Sequence, residues 1–286
     1  MSKPRSLDLP SGTRAYPLDT PRGRFAVLDC EPAGTALGTA LLLPGFTGSK
    51  EDFLALLEPL ARAGYRAVAV DGRGQHESPG PRGASGYTPR VLAEDTVAQA
   101  AALCAGPVHV VGHSFGGLVA RAAVRLSPAS FASLTLLSSG PGHVGPGQRA
   151  KIRLLRAALP VLPAGAVWAV TSWLDSRDPA YEPEAPEVAE FLRQRWFNTS
   201  PGQLIATGRQ LRTEPDRTEQ IAALPVPLHV AYGDGETVWT VEELGALARS
   251  VDARHTVIAG AGHSPNVSHP GVLAEALTRF WTTRTP

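Results

Sequence analysis

Residues 108–117, Val-His-Val-Val-Gly-His-Ser-Phe-Gly-Gly, constrain the fold more than any other stretch of the 286-residue chain. A β-branched, apolar run reaches Gly112, and residues 118–124 continue with apolar side chains at helical spacing. The pattern predicts a strand, a sharp turn and a helix, with Ser114 at the apex. Side chains two positions either side of the serine would collide in such a turn, so Gly112 and Gly116 keep that space empty. Gly117 lets the helix begin close to its neighbours. The helix N-terminus aims amide N–H groups and a positive dipole end at any negative charge developing beside Ser114.

Five letters, G-x-S-x-G, are modest evidence alone, because a Gly-rich βα turn can carry an inert serine. The rest of the chain adds weight. Strand-like runs at 39–43, 66–71 and 134–138 flank the Ser114 strand, and helix-like runs at 51–63 and 90–104 separate them. Runs at 14–20 and 24–30, joined by Pro21-Arg22-Gly23, read as an antiparallel edge hairpin. After residue 227 the alternation resumes: strands at 228–232 and 254–258, helices at 241–250 and 270–281. The expected fold is α/β, a mostly parallel, doubly wound sheet of about eight strands with helices on both faces.

Between 140 and 213 no strong strand signal occurs. Helices are expected at 148–159, 164–174, 186–197 and 203–211. This stretch reads as a helical cap inserted into a core made of residues 1–139 and 214–286. Most of its apolar side chains should pack it onto the core. A minority should line a pocket, with Trp168, Trp173 and Trp196 as candidates.

Composition bounds the partners. The formal net charge is +1 and no Lys/Arg block stands out, so neither nucleic acid nor an acidic membrane has an electrostatic footprint. The N-terminus lacks the apolar core of a signal peptide, and no apolar run approaches the roughly 20 residues that span a bilayer. A cytoplasmic protein acting on a small molecule is the expectation. Cys30 and Cys104 stand outside any CxxC or Cys-His pattern and read as reduced thiols. No Cys/His cluster or H-E-x-x-H offers a metal site, and neither a P-loop nor G-x-G-x-x-G is present, so no metal or cofactor is expected.

A serine hydroxyl needs a base to take its proton, usually a histidine oriented by a buried carboxylate. Among eight histidines, His263 follows the last strand and precedes the last helix, on the rim that carries Ser114. His76 lies in a loop on the same rim and competes with it. His113 should point away from the apex. The acid follows the strand ending at Tyr232, in Gly233-Asp234-Gly235-Glu236-Thr237-Val238-Trp239. Either Asp234 or Glu236 can reach a histidine there, and the order serine, acid, histidine suits an elbow enzyme.

From about residue 20 to 282 the chain resembles the α/β-hydrolase family. That family places its acid in a pattern like G-x-x-D-x-x-V, a position that falls on Glu236 here and leaves Asp234 as the alternative. Its H-G-x loop corresponds to Pro44-Gly45-Phe46, which implies an oxyanion hole from the N–H groups of Phe46 and Phe115. Proline in place of histidine removes a side-chain anchor, so the loop would rely on proline's rigidity. Residues 71–78, Asp-Gly-Arg-Gly-Gln-His-Glu-Ser, resemble the family's D-x-R-G-x-G-x-S, with His76 in place of a glycine. That makes His76 a pocket candidate, alongside Trp239. The resemblance implies a serine hydrolase that cleaves a carboxylic ester of a small or medium apolar substrate through an acyl-enzyme. The same triad also serves C–C bond hydrolysis, perhydrolase and lyase chemistry, and the fold also hosts non-catalytic binding proteins.

Overall fold

The strand order places the two key loops side by side. The computed structural model describes residues 2–177 and 183–283. Its sheet contains β1 (Thr13–Thr20), β2 (Gly23–Cys30), β3 (Gly38–Leu43), β4 (Tyr65–Val70), β5 (Val108–His113), β6 (Phe131–Leu137), β7 (Leu228–Gly233) and β8 (Arg254–Ile258). Across the sheet they run β1-β2-β4-β3-β5-β6-β7-β8. The β1–β2 hairpin is antiparallel, as is β2 against β4, and the remaining neighbours are parallel.

Both faces are buried, which is why the central strands are apolar without alternation. In β3, Leu41 and Leu43 enter one core while Ala40 and Leu42 enter the other. Helices α1 (Leu54–Arg62), α2 (Pro89–Ala102) and α3 (Phe115–Leu126) follow β3, β4 and β5. The helix α1 contributes Leu56, Leu57 and Leu60 to one core; α2 and α3 contribute Leu92, Leu118 and Val124 to the other. Thr88 caps α2 by accepting from Val91 N–H, with Pro89 in the first turn.

Helices α4 (Pro146–Ala158), α5 (Ala164–Asp175), α6 (Pro186–Asn198) and α7 (Pro201–Thr213) intervene between β6 and β7. They share a small apolar cluster of Val167, Trp196 and Leu204, and Phe46 packs against both it and the main core. Then come α8 (Thr218–Ala222), α9 (Val241–Ser250), α10 (Pro265–Ser268) and α11 (Pro270–Thr282). Thr240 and Glu243 form a reciprocal capping box at the start of α9. Leu273 and Leu277 of α11 join the α1 side.

From β3 the chain goes first to β4 on one side and later to β5 on the other. The C-terminal ends of β3 and β5 therefore flank a topological switch point, where loops diverge and leave a crevice. Among the described residues no helix is long and apolar enough to cross a membrane. Cys30 and Cys104 are both free, the first buried and the second exposed.

Candidate active site

The turn after β5 is as tight as its glycines demand. Ser114 sits at φ +53°, a conformation that costs a non-glycine residue of order 1–3 kcal/mol. A Cβ on Gly112 would lie 2.4 Å from the Gly116 carbonyl oxygen, and one on Gly116 would lie 2.3 Å from that of Leu43. No side chain fits at either position. The strained turn lifts the Ser114 hydroxyl above the sheet edge while α3 starts directly behind it.

His263 reaches that hydroxyl from the loop after β8. Its Nε2 is 3.0 Å from Ser114 Oγ, and its Nδ1 is 2.8 Å from each carboxylate oxygen of Glu236. Glu236 is buried, and its Oε1 also accepts from the N–H groups of Thr237 and Val238 at 2.8 Å. Burial alone would raise its pKa. The hydrogen bond and charge of His263, with the Val238 N–H, outweigh that and hold the carboxyl below its ordinary value. Glu236 therefore stays ionised, which fixes Nδ1 as the protonated ring nitrogen and leaves Nε2 free to accept a proton.

Asp234 has a different place. It is exposed, and its Oδ1 accepts from Gly260 N–H at 2.9 Å. That bond ties the β7 turn to the loop that carries His263. Gly235 N–H adds a second tie, to the Ala261 carbonyl at 2.9 Å.

His113 links the same loop to the serine turn. Its Nε2 is 2.8 Å from the main-chain oxygen of His263, so it donates there and must be neutral or doubly protonated. Burial, then the neighbouring His263, pushes its pKa down to about 3, which settles on the neutral ring. The sequence reading pointed His113 away from Ser114 and gave it no task. The contact joins residues far apart in the chain, and no local pattern signals it.

The loop after β3 completes the site. The Cα of Gly45 comes so near that a Cβ there would sit 3.4 Å from Ser114 Cβ. The Gly45 carbonyl accepts from Gln75 Nε2 at 2.8 Å and from Gly48 N–H at 3.2 Å. A trans peptide points its N–H opposite to its carbonyl, so the Phe46 N–H faces away from those donors. Neither Phe46 N–H nor Phe115 N–H has an acceptor among the described residues. Gln75, buried and also accepting from Gly72 N–H, does the anchoring that proline rigidity was expected to provide. Its position in the 71–78 loop was the available clue.

The remaining candidates scatter. His76 adopts φ +41°, which accounts for the glycine at the corresponding position of the resembling pattern. Its ring packs edge-on against Phe191 of α6, and its N–H donates to Thr199 Oγ1. None of its recorded contacts is with Ser114 or His263. Trp239 is buried beside His263, with ring centroids 6.4 Å apart, and its indole N–H donates to the Gly142 carbonyl. Trp168 and Trp196 pack together inside the α4–α7 segment, where Trp196 donates to the Ala164 carbonyl. Trp173 corrects an expectation: it is 54% exposed and lies under the Arg177 guanidinium, facing solvent rather than a pocket. Metal-capable donors of Glu51, His76 and Glu77 come within 4.8 Å of one another, a grouping that sequence spacing did not reveal. The Lys50 ammonium already bonds both carboxylates, at 2.7 Å each.

A doubly wound sheet with a serine on a strained strand–helix turn, met by a histidine and a carboxylate from later loops, defines a class of α/β hydrolytic enzymes. The chain belongs to the alpha/beta hydrolase family, whose model matches residues 40–276. It is 28% identical over 277 residues to a pimeloyl-[acyl-carrier protein] methyl ester esterase of Sodalis glossinidius, covering 87% of this chain and 96% of that one. A Variovorax paradoxus protein provisionally named as a carbamate hydrolase, RutD, is 38% identical over 113 residues. That match spans 39% of this chain and 42% of the relative. Among solved structures, a thermophilic esterase from Thermogutta terrifontis superposes with a TM-score of 0.75 at 24% identity. It covers 94% of this chain and 98% of that one, and the likeness is one of fold.

Proposed function

We propose that the protein is a serine hydrolase that cleaves a carboxylic ester through an acyl-enzyme. The observation that carries this reading is the unbroken line from Ser114 Oγ through the His263 ring to Glu236, with contacts of 3.0 Å and 2.8 Å. Ser114 attacks the carbonyl carbon as its proton passes to His263 Nε2. Glu236 holds the ring and stabilises the imidazolium that forms. The N–H groups of Phe46 and Phe115 donate to the oxyanion, and neither has another acceptor among the described residues. His263 then protonates the departing alcohol, and water attacks the acyl carbon by the reverse route.

Residues 140–213 act as a cap over this centre. The Phe46 ring packs against the cap's apolar cluster while its N–H serves the oxyanion, so the acyl group is held against an apolar wall. That favours a small or medium apolar acyl group. The ester and carbamate names of the two relatives agree with carbonyl chemistry.

The test is labelling by a fluorophosphonate, followed by mass detection of an acyl adduct with a graded series of activated esters. Wild type should carry one adduct on the peptide containing Ser114, and Ser114→Ala should carry none. Equal labelling of the two proteins removes Ser114 from the role of nucleophile.

A further inference from the structure

Charge is nearly balanced over the whole chain, but it is not evenly placed. From Pro141 to Leu174 the sequence contains no acidic residue and four cations, Arg149, Lys151, Arg153 and Arg156. The helix α7, which packs on α4, adds Arg209 and Arg212. Among the described residues none of these six forms an ion pair. Elsewhere Arg22, Lys50, Arg66, Arg73 and Arg121 each meet a carboxylate within 3.1 Å. Partial burial, then the charges of Arg212 and Arg209, pushes the Arg156 pKa down, so these cations crowd one another.

The same segment exposes apolar surface that the core does not. The helix α5 has no charged residue before its last position, and of its large apolar side chains Val167 is buried while Val170, Trp173 and Leu174 are exposed. Leu154 on α4, with Val161 (76% exposed) and Leu162 in the α4–α5 turn, extends the patch. A helix that is apolar all round normally lies inside a core, a membrane or a partner. Here most of one side meets water.

We propose that this face of α4, α5 and α7 docks onto an anionic lipid surface. The outward cations, with Lys151, Arg153 and Arg209 the most exposed, meet headgroup phosphates, while Val161, Leu162, Val170, Trp173 and Leu174 enter the headgroup–acyl boundary. Lys/Arg beside exposed Trp and Leu is the pattern of an element lying in the interfacial plane. A second copy of the chain fits less well, because a two-fold contact through this face sets the unpaired cations against themselves. The even whole-chain balance had argued against an acidic membrane. The proposal departs from that argument because six cations gather on α4 and α7 without a carboxylate partner among the described residues. Docking requires no step of the proposed hydrolysis.

Cosedimentation of the full chain tests it, using vesicles of phosphatidylcholine alone and of phosphatidylcholine mixed equally with phosphatidylglycerol. The protein should pellet with the mixed vesicles, and binding should fall with salt. At roughly 1 kcal/mol per basic residue near an anionic surface, the triple variant Arg149→Gln, Lys151→Gln, Arg153→Gln should lose about a hundredfold in partition. That variant should hydrolyse a water-soluble ester at the wild-type rate. Trp173→Phe should abolish most of the fluorescence blue shift seen on binding. Ser114→Ala should bind as wild type does, so loss of the hydrolase reading and loss of the docking reading are separable. The proposal is overturned if neither vesicle pellets the protein, or if the triple variant binds unchanged. Concentration-dependent dimerisation abolished by Trp173→Ser, without vesicle binding, would also overturn it and assign the face to a second copy.

Discussion

In the sheet-based core, Asp29 accepts from Arg66 and from Tyr16, Asp95 accepts from Arg22 and Arg73, and Glu236 accepts from His263 and two amides. On α4 and α7 six cations stand without a carboxylate, and α5 turns Trp173 and Leu174 to water. These three core carboxylates are paired because burying an unpaired charge costs several kcal/mol. The cations of α4 and α7 are under no such constraint, since each is at least partly exposed to solvent. The core's chemistry is thus set by geometry within the chain, whereas the proposal for the helical segment turns on a surface outside it. Four measurements test that division.

The largest effect belongs to the proposed acid, Glu236. Glu236→Gln keeps the shape but removes the charge that selects the His263 tautomer, and kcat should fall by about 10⁴-fold, as in a serine-protease triad. Asp234→Asn removes only an exposed bond to Gly260 N–H and should cost less than about tenfold, by the modest worth of such a bond. Steady-state kinetics on one activated ester decides between them. The reverse ranking would move the acid's role to Asp234.

Next is the tie between the two regions. Arg195 of α6 is buried, with Nη1 2.7 Å from Asp52 Oδ1 and Nη2 2.7 Å from the Ser2 carbonyl. Arg195→Ala leaves Asp52 buried without its cation, and chemical denaturation should show a loss of about 3–5 kcal/mol. Burial, opposed by Arg195, already places the Asp52 pKa at about 6. In the variant Asp52 can take a proton instead, so the loss should shrink below pH 6. A loss under about 1 kcal/mol at neutral pH would mean that the seam is held by its apolar contacts alone.

A smaller effect distinguishes the core by its acid sensitivity. Burial pushes His113 and His229 down to about 3 and His109 to about 4. These rings stay neutral in the fold yet charge in the unfolded chain near pH 6.5. Their contribution is complete above that pH and is lost as pH falls from about 6.5 toward 4, because the unfolded state binds more protons there. Each contributes a slope of about 1.4 kcal/mol per pH unit within the window. His113→Asn should flatten the stability–pH curve by that amount. It should also lower kcat more than it raises KM, since the His263 carbonyl loses its donor. An unchanged slope would mean that His113 is protonated or exposed in the fold.

The sequence disclosed these features unevenly, for physical reasons. The turn at Ser114 was legible because backbone collisions dictate its glycines, and a rule about adjacent atoms is written in adjacent letters. Strand β3 was legible from apolar continuity, and helix α9 from the resumed alternation of strands and helices. The contact of Glu236 with His263 was foreshadowed only through a resemblance, since spacing left Asp234 equally placed. The Gly45 anchor at Gln75 and the His113 bond to the His263 carbonyl were not legible, because each is a meeting of loops that only the folded sheet brings together. Trp173 misled for a related reason. An apolar helix declares that it needs an apolar surrounding, but not whether the chain itself supplies one.

The smallest effect tests that last point. Leu41 is wholly buried in the central strand, so Leu41→Ala should cost about 2–5 kcal/mol through lost transfer energy and an unfilled cavity. Trp173→Ser removes a larger side chain, but one that remains 54% exposed and whose named partner is the Arg177 cation. Stability in aqueous buffer should therefore change by no more than about 0.5 kcal/mol, as at other surface positions. Thermal or chemical unfolding of the two variants under one set of conditions makes the comparison. If Trp173→Ser destabilises as Leu41→Ala does, the outer face of α5 is covered within the free protein and the two regions obey the same rule. If it is neutral in buffer but costly to vesicle binding, the exposed tryptophan contributes its burial energy only where the proposed lipid surface provides the second wall.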